Sequence, residues 1–270
     1  MKKMYPIFFL VLTVLVWGSC SSSAGGDDTL FDITQFILDM ENASGRDIIL
    51  VKGSVSPSDF SLIHDAMLSE TKKIILDFTN TGIIEIPDAG FHYLENLKGI
   101  ILPDTVKIIG ERAFDGCNNL EEFETPDKTS RIGSFAFRNC SSLKSITIPE
   151  NVATLGSGTF ILCTQLSDVK ILCDISKIPF ALFQQCRELK NIIIPASVTQ
   201  IETYAFYGCS QLTTIIIEAE DPPALVGADN WFANSKIYVP DNSVEAYESE
   251  WRSSIGSLSI LPKSYVPITP

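Results

Sequence analysis

Cysteine and histidine are the side chains best suited to nucleophilic catalysis and metal binding, and this 270-residue chain has seven cysteines and two histidines. The histidines, His64 and His92, are far apart in sequence, and neither lies beside a nucleophile elbow, a phosphate loop or a metal-binding motif. No CxxC spacing and no histidine cluster occurs, so zinc binding is not expected. We therefore expect no enzymatic activity, no cofactor and no metal.

Most of the cysteines follow a strict spacing of 23 residues, at Cys117, Cys140, Cys163, Cys186 and Cys209. Equivalent positions of a repeat point in the same direction, which is a poor arrangement for disulfides between neighbours. We expect these thiols to be buried, free and packed like small apolar groups. Cys173 lies outside the series and is a candidate reactive thiol.

The seventh cysteine, Cys20, belongs to a different segment. Residues 1–20 begin with basic side chains and continue with an apolar run of about fourteen residues ending at Trp17, too short to span a bilayer comfortably. Two small residues then precede Cys20, the position at which a bacterial lipoprotein signal carries its lipid-modified cysteine. Cleavage of an ordinary secretory signal is the alternative interpretation. We expect an exported protein anchored to the outer membrane through Cys20, at the cell surface, with 21–28 as a flexible tether.

The net charge of the chain argues against nucleic acid and anionic membrane surfaces as partners. The chain has 20 basic and 33 acidic side chains, a formal net charge of −13. Nucleic acid is therefore not expected as a partner, and membrane contact is expected only through the lipid anchor. Hydrophobic residues make up 45% of the chain, which is ample for a folded core.

The elements that position the cysteines are repeats. A second column keeps the same period, at Phe91, Phe114, Phe137, Phe160, Phe183 and Phe206. We number coils one to six from the leucines that begin them: Leu97, Leu120, Leu143, Leu166, Leu189 and Leu212. A period of 23 is typical of leucine-rich repeats, in which each coil buries its apolar face only against its neighbours.

Coil three illustrates how the residues of one repeat predict its strand and turn. Leu143, Ile146 and Ile148 alternate with polar residues, which predicts a strand with these side chains pointing inward. Pro149 ends the strand's hydrogen bonding, and Gly156 is expected to permit a turn that other residues would resist. Coil two, with Thr125 and Thr129 at inward positions, and coil four, with Leu172 for proline and Pro179 for glycine, depart from the pattern and are expected to bend or pack loosely.

The two ends of the repeat region read as caps. We expect an N-terminal cap at 29–73, with helices at 30–39 and 56–68 around a strand at 48–51. The solenoid proper is expected at 74–240. A C-terminal cap at 241–270 contains a helix with Val244, Tyr247 and Trp251 on one face, behind Ser243 as its N-cap.

The consensus of the coils, I-P-x-x-V-x-x-I-G-x-x-A-F-x-x-C, closely resembles the BspA-type leucine-rich repeat, and residues 103–117 carry it almost letter for letter. The resemblance covers about residues 74–240. It implies a mainly β solenoid with short helical turns, an α/β N-terminal cap and a C-terminal helical cap. Members of this family are commonly surface or secreted proteins, many of them lipoproteins, and some act in adhesion. The family has no shared catalytic residues to transfer.

Outward positions of the strands are the candidate binding residues. Glu122 and Glu124 form an acidic patch, while Ile101, Ile193 and Ile216 are β-branched residues that serve either a partner or strand propensity alone. A second candidate face is the column that contains Phe135 and Tyr204, with Phe180 beside it, because aromatic residues outside core positions are candidate protein or glycan contacts.

The sequence therefore predicts a surface-anchored, non-enzymatic protein that binds a protein or glycan on host or bacterial surfaces, in adhesion or recognition. The alternative is a structural or assembly role within the bacterial cell envelope.

Overall fold

Two stacks of short parallel strands form the body of the structure, a computed structural model that describes residues 30–42, 48–227, 235–255 and 259–266. Each coil adds one strand to a main sheet and one to a narrower second sheet, so the chain winds as a parallel β-solenoid. Partners in adjacent coils are one repeat apart, as in Ser145 with Asp168 and Asn191 with Thr214. The predicted solenoid is confirmed. Cys20 and the tether lie outside the described residues.

The strands of the main sheet are β1 Ile48–Leu50, β2 Ile74–Asp77, β4 Leu97–Ile101, β6 Glu122–Phe123, β8 Ser145–Ile148, β10 Asp168–Ile171, β12 Asn191–Ile194, β14 Thr214–Ile217, β16 Lys236–Val239 and β17 Ser259–Pro262. Those of the second sheet are β3 Glu85–Ile86, β5 Ile108–Ile109, β7 Arg131–Ile132, β9 Thr154–Leu155, β11 Lys177–Ile178, β13 Gln200–Ile201 and β15 Ala224–Leu225. Turns close each coil.

Side chains of the main sheet alternate between core and solvent as predicted. Ile146 and Ile148 are buried in β8, whereas Ser145 before them and Thr147 between them are exposed. The strand ends at Ile148, immediately before Pro149, because proline has no amide hydrogen to donate.

A stack of phenylalanine rings forms the centre of the core. Rings from successive coils lie 5.2–5.7 Å apart between centroids and nearly parallel, from Phe91 through to Phe206. All are fully buried, and each coil alone would leave its ring exposed on two sides. The core is therefore shared between coils and cannot form within one of them.

Glycine is needed at position 156 for a different reason from the one expected. Its backbone is not left-handed; a Cβ built on it would lie 2.2 Å from Ser134 N in the preceding coil. Gly110 and Gly133 are in the same position relative to the coils before them, with backbone atoms at 2.6 Å. Glycine is needed here because two coils approach closely, so the expected turn function was wrong.

The strand pairing is interrupted next to coils two and four, the two coils whose sequences depart from the pattern. The main sheet divides after β6 and again after β10, and the second sheet divides between β9 and β11. Pro179 explains the last break, because it occupies the position at which Gly156 touches the coil before it. In coil two, the hydroxyl of Thr125 is buried without a hydrogen-bond partner among the described residues, where the later coils place isoleucine.

Helices and a further strand close the solenoid. Helices α1 Ile33–Glu41 and α2 Asp59–Leu68 flank β1, and Asp32 caps α1 by accepting hydrogen bonds from Thr34 and Gln35 amides. Helix α3 Val244–Ile255 follows a 3-10 turn at Asp241–Ser243, which replaces the simple N-cap expected at Ser243.

Two buried side chains of α3 donate to the last coil, Tyr247 Oη to Ala219 O at 2.8 Å and Trp251 Nε1 to Pro223 O at 3.0 Å. Strand β17, which the sequence analysis missed, then adds to the edge of the main sheet next to β16. Among the described residues, no helix has both the length and the apolar character required for a membrane span.

Candidate functional site

The cysteine column is part of the core and has no feature of a reactive site. All six cysteines of the described residues are free and buried, which confirms the prediction of unpaired thiols. In the repeated column each Sγ donates to the carbonyl oxygen of a phenylalanine 26 residues earlier, for example Cys163 to Phe137 O at 3.1 Å. Desolvation by burial raises the pKa of every one of these thiols. Such thiols are poor nucleophiles at neutral pH.

Cys173 is buried as well, so the expectation of a reactive thiol was wrong. Its side chain is 1% exposed, and burial raises its pKa to about 11. The residue lies just after β10 in coil four, beside the exposed Leu172, and packs into the core. In coil four Leu172 replaces the proline of the repeat pattern and is exposed, and the next residue, Cys173, points inward.

The two histidines meet at the junction of α2 with the first coils. Their rings stack with centroids 4.7 Å apart and planes 11° apart. His64 Nε2 lies 2.9 Å from His92 O, and His92 Nδ1 lies 2.6 Å from Ala89 O. Backbone contacts therefore hold both rings in place. In the described part of the chain, no three histidine, cysteine or acidic side chains are arranged to hold a metal ion.

Three of the predicted binding residues meet at one depression on the outer face of the main sheet. The depression has a volume of about 1050 Å³, and Ile101, Glu122 and Glu124 all line it. Gly99, which is buried, and the two residues of β6 also line it. Sequence reasoning had grouped Glu122 with Glu124 in one acidic patch but had not placed Ile101 beside them.

Ile193 and Ile216 form a separate apolar pair on the same sheet face. They are directly opposite each other in β12 and β14, and Ile193 is 51% exposed whereas Ile216 is half-buried. The next residue in this row, Tyr238 of β16, is buried, so the apolar row becomes covered towards the C-terminal end.

The aromatic column divides into two unlike parts. Phe135 is half-buried over Gly158, with the guanidinium carbons of Arg112 and Arg138 each 5.7 Å from the centre of its ring. Arg138 is itself fixed by two hydrogen bonds, of 2.8 and 2.6 Å, to the buried carboxylate of Asp115. Phe135 is therefore packed into the solenoid and presents little of its ring to solvent.

Phe180 and Tyr204 belong to an exposed aromatic cluster that also includes Tyr207. Phe180 meets Tyr204 edge to face at 5.7 Å between centroids, and Tyr204 meets Tyr207 at 5.5 Å. Phe180 is 39% exposed and Tyr207 44%. Sequence reasoning missed Tyr207, although its place three residues after Tyr204 could have indicated a neighbour across the turn.

Glu202 holds the backbone of the aromatic cluster in place through hydrogen bonds. Its carboxylate accepts hydrogen bonds from the Phe180 amide at 2.8 Å and from Lys177 Nζ at 2.7 Å. Although partial burial opposes ionisation, these two donors hold the pKa of Glu202 below its usual range. The carboxylate therefore stays ionised and fixes the backbone beneath Phe180.

Backbone geometry at the aromatic column is a property of the coil and does not mark a site. Phe135 and Tyr204 have φ angles of 58° and 61°, in the left-handed region that favours glycine. Ala89, Arg112 and Ala181 occupy equivalent positions with φ of 53–55°. Since the same angle recurs whatever the side chain, the neighbouring coils impose it.

Comparisons with known proteins agree with the fold. The model of the BspA type leucine rich repeat region matches residues 84–219 in six copies. A crystal structure of a leucine-rich repeat protein from Bacteroides ovatus is 24% identical, with a TM-score of 0.50, and the match covers 69% of this chain and 60% of that chain. A leucine rich cell surface protein from Faecalibacterium prausnitzii is 22% identical, with a TM-score of 0.37 and coverage of 72% and 60%.

The T. pallidum leucine rich repeat protein is 20% identical, with a TM-score of 0.42, and the match covers 71% of this chain and 91% of that chain. This chain therefore spans about 60% of the length of the B. ovatus and F. prausnitzii structures. No curated protein is significantly similar to the sequence. At these identities the structural likeness concerns the fold alone.

Proposed function

Because this chain belongs to the BspA-type leucine-rich repeat family, we propose that it is a non-enzymatic surface protein that binds a macromolecular partner through the outside of its solenoid. The aromatic cluster of Phe180, Tyr204 and Tyr207 is the observation that carries the proposal. Phe180 and Tyr207 are exposed and Tyr204 is half-buried, although the core already contains a complete phenylalanine stack. Partly exposed aromatic side chains are the usual anchors of protein interfaces.

The partner we propose is a protein or a glycan on host or bacterial surfaces, bound in adhesion or recognition. The solenoid supports this because its sheet face and turns present a broad surface, and broad surfaces suit extended contact with macromolecules. Ile193 and Ile216 offer a separate apolar contact area on the sheet face. We assign Phe135 a structural role instead, since the guanidinium groups of two arginines lie over its ring.

Capture experiments test this function. The purified protein is immobilised and exposed to surface proteins and glycans of host cells and bacteria, and the captured partner is then titrated against variants. Phe180→Ala with Tyr204→Ala is expected to weaken binding by about 1–4 kcal/mol, because anchor side chains contribute on this scale. The backbone tolerates alanine at 204, since Ala181 at the equivalent position has a similar φ, 53° against 61°.

Tyr265→Ala is the matched control, since Tyr265 is 68% exposed and distant in sequence from the cluster. Equal binding by the cluster variant and the control would refute the cluster as the contact site. Capture of nothing but envelope components of the protein's own cell would replace the proposed function by a structural or assembly role.

We also propose that the protein is held at the outer membrane by a lipid on Cys20. The support comes from the sequence of residues 1–20, with its apolar run and the small residues before Cys20. Cys20→Ala is expected to leave the protein exported but no longer extracted with membranes, because alanine has no thiol to carry the lipid. Fractionation of cells checks this, and equal membrane retention of the variant would contradict lipidation.

A further inference from the structure

The outer face of the main sheet changes the sign of its charge at coil three. The second, third and fifth residues of each coil, counted from its leucine, lie on this face. In coils one and two these positions carry three carboxylates and one lysine, namely Glu121, Glu122, Glu124 and Lys98. In coils four and five they carry two lysines and one carboxylate, namely Lys170, Lys190 and Asp168. The face is therefore acidic on one side of coil three and basic on the other.

The fifth residues form a row that is symmetric about Thr147 of coil three. Lys170 lies next to Thr147 in the register of β8 and β10, and Glu124 lies one repeat before Thr147. Ile101 and Ile193 lie two repeats from Thr147, on opposite sides. All five side chains are exposed, Ile101 by 43% and Ile193 by 51%. In both directions from Thr147 the row therefore presents a charge and then an isoleucine, and the two charges have opposite signs.

The two charges of this row have no ion-pair partner within the described ranges. None of the ion pairs of the described residues includes Glu124 or Lys170. The two residues are separated by two strand spacings, roughly 10 Å, which is too far for an ion pair within one molecule. Each charge is therefore open to an opposite charge from outside the molecule.

We propose that this face binds a second copy of the chain, with the two main sheets packed face to face and the two stacks of coils antiparallel. A twofold axis along β8 reverses the order of the coils and keeps the direction of the strands, so coil two of one copy faces coil four of the other. Nearly aligned strands are a usual arrangement of packed sheets. Glu124 then meets Lys170 of the second copy, and Ile101 meets Ile193 of the second copy. Each of these contacts forms twice.

The relief of the face agrees with this pairing. Ile101 and Glu124 line the depression over coils one and two, and the second copy places its Ile193 and Lys170 over them. The aromatic cluster remains free in the pair, because Phe180 follows β11 in the second sheet and does not belong to the main sheet. The inference therefore goes beyond the proposed function and does not depend on it.

The pair is expected to be weak and reversible. Seven strands from β2 to β14, each about 16 Å long, cover roughly 460 Å² per copy at a strand spacing of about 4.8 Å. A total of about 900 Å² is at the low end for specific interfaces. Glu122 and Asp168 lie one coil to either side of Ser145, so the symmetry also brings these two like charges together. Association is therefore expected only at high protein concentration.

Reversing the charges of the row tests the inference. Sedimentation velocity of the purified protein, over a wide range of concentration, gives the dissociation constant of the pair. Glu124→Lys and Lys170→Glu each place like charges opposite one another and are each expected to weaken self-association by about tenfold or more. An equimolar mixture of the two variants is expected to associate about as tightly as the unchanged protein, because every altered charge then meets its opposite. High salt should weaken the unchanged pair.

Two further variants provide a control and a gain of affinity. Glu248→Lys makes the same charge change at an exposed position of α3 and should leave the dissociation constant within about twofold. Asp168→Lys replaces the repulsion of Glu122 by attraction and is expected to tighten the pair by about threefold or more. Circular dichroism melts confirm that every variant is folded.

Cross-linking locates the axis. Thr147→Cys places a thiol beside its own counterpart in the second copy, so a short bis-maleimide is expected to join the two chains. Asn191→Cys lies on the same face two coils away, and it should give far less cross-linked dimer. The six native cysteines of the described residues are buried and are common to both variants.

A protein that stays monomeric at every concentration would overturn the inference. So would a mixture of Glu124→Lys and Lys170→Glu that associates no better than either variant alone, or cross-linking that is equal at positions 147 and 191. Self-association that neither charge reversal weakens would place the contact on another face and overturn it as well. A monomeric protein that still captures a surface partner leaves the proposed function standing, and a self-associating protein that captures nothing overturns only the proposed function.

Discussion

Asp115 and Arg138 are the most consequential polar pair in the described structure. The carboxylate is 1% exposed, so its charge is compensated mainly by the two hydrogen bonds from the guanidinium. The same guanidinium covers one face of the Phe135 ring. A buried charge, a fixed cation and an aromatic ring therefore depend on one another across neighbouring coils.

Arg138→Ala is expected to lower the free energy of unfolding by about 3–5 kcal/mol, because it leaves a buried carboxylate unpaired. Arg112→Ala is the matched control: it removes the other cation from Phe135, but its exposed partner Glu111 is 3.9 Å away, so a loss of at most about 1 kcal/mol is expected. Urea denaturation measures both. Equal losses would mean that the ring contact, and not the buried carboxylate, determines the effect.

At the scale of the coil, the glycines at 110, 133 and 156 set how closely successive repeats approach. Each would place a Cβ 2.2–2.6 Å from main-chain atoms of the preceding coil. Main chain cannot move aside as a side chain can, so the spacing itself would have to change. Pro179 occupies the corresponding position in coil four, and the second sheet divides there.

Gly156→Ala is accordingly expected to destabilise the protein by about 3 kcal/mol or more through overpacking. Gly82→Ala is the control, because nothing lies within 4 Å of its Cβ position and its φ is not positive. This second change is expected to be neutral or to stabilise by up to about 1 kcal/mol, since alanine restricts the unfolded chain. Thermal melts compare the two, and similar midpoints would contradict the close approach of coils two and three.

The coil is also the scale at which sequence reasoning succeeded best. Two columns in phase predicted the strands, the inward side chains and the free thiols, because a repeat imposes one environment on each column. Sequence reasoning failed where the role of a residue depends on a neighbouring coil or on an irregularity in its own coil. Cys173 turns inward only because coil four is irregular, and the role of Gly156 depends on Ser134 in the coil before it. The depression is lined by residues from three parts of the chain, among them Ile75, Gly99 and Thr125.

At the scale of the whole molecule, the buried thiols make the free energy of unfolding depend on pH in the alkaline range. Burial raises their pKa values, to about 11 for Cys173 and about 12 for Cys209. In the unfolded chain a thiol ionises near about pH 8.5, so above this pH the unfolded state releases protons that the folded state retains. The stabilisation is therefore complete below about pH 8.5 and is lost as the pH rises towards the folded values.

The free energy of unfolding is expected to fall between about pH 8.5 and pH 11, by up to about 1.4 kcal/mol per pH unit for each buried thiol. Urea denaturation across this range, with reductant present, provides the measurement. A variant with Cys140→Ala and Cys186→Ala is less stable at pH 7 but should lose stability less steeply as the pH rises. Parallel slopes for the two proteins would show that other groups cause the alkaline loss.

The hydrogen bonds between neighbouring coils have a mechanical consequence. In both sheets they point from one strand to the next, and hence along the direction in which the coils are stacked. A pulling force applied between the two ends of the solenoid therefore loads these bonds one row after another, as in opening a zipper. Rupture of one row releases about 23 residues, which lengthen the chain by roughly 75 Å before the next row bears the load. Such a molecule yields in steps and dissipates a sudden strain, while the coils beyond the break keep their folded surface.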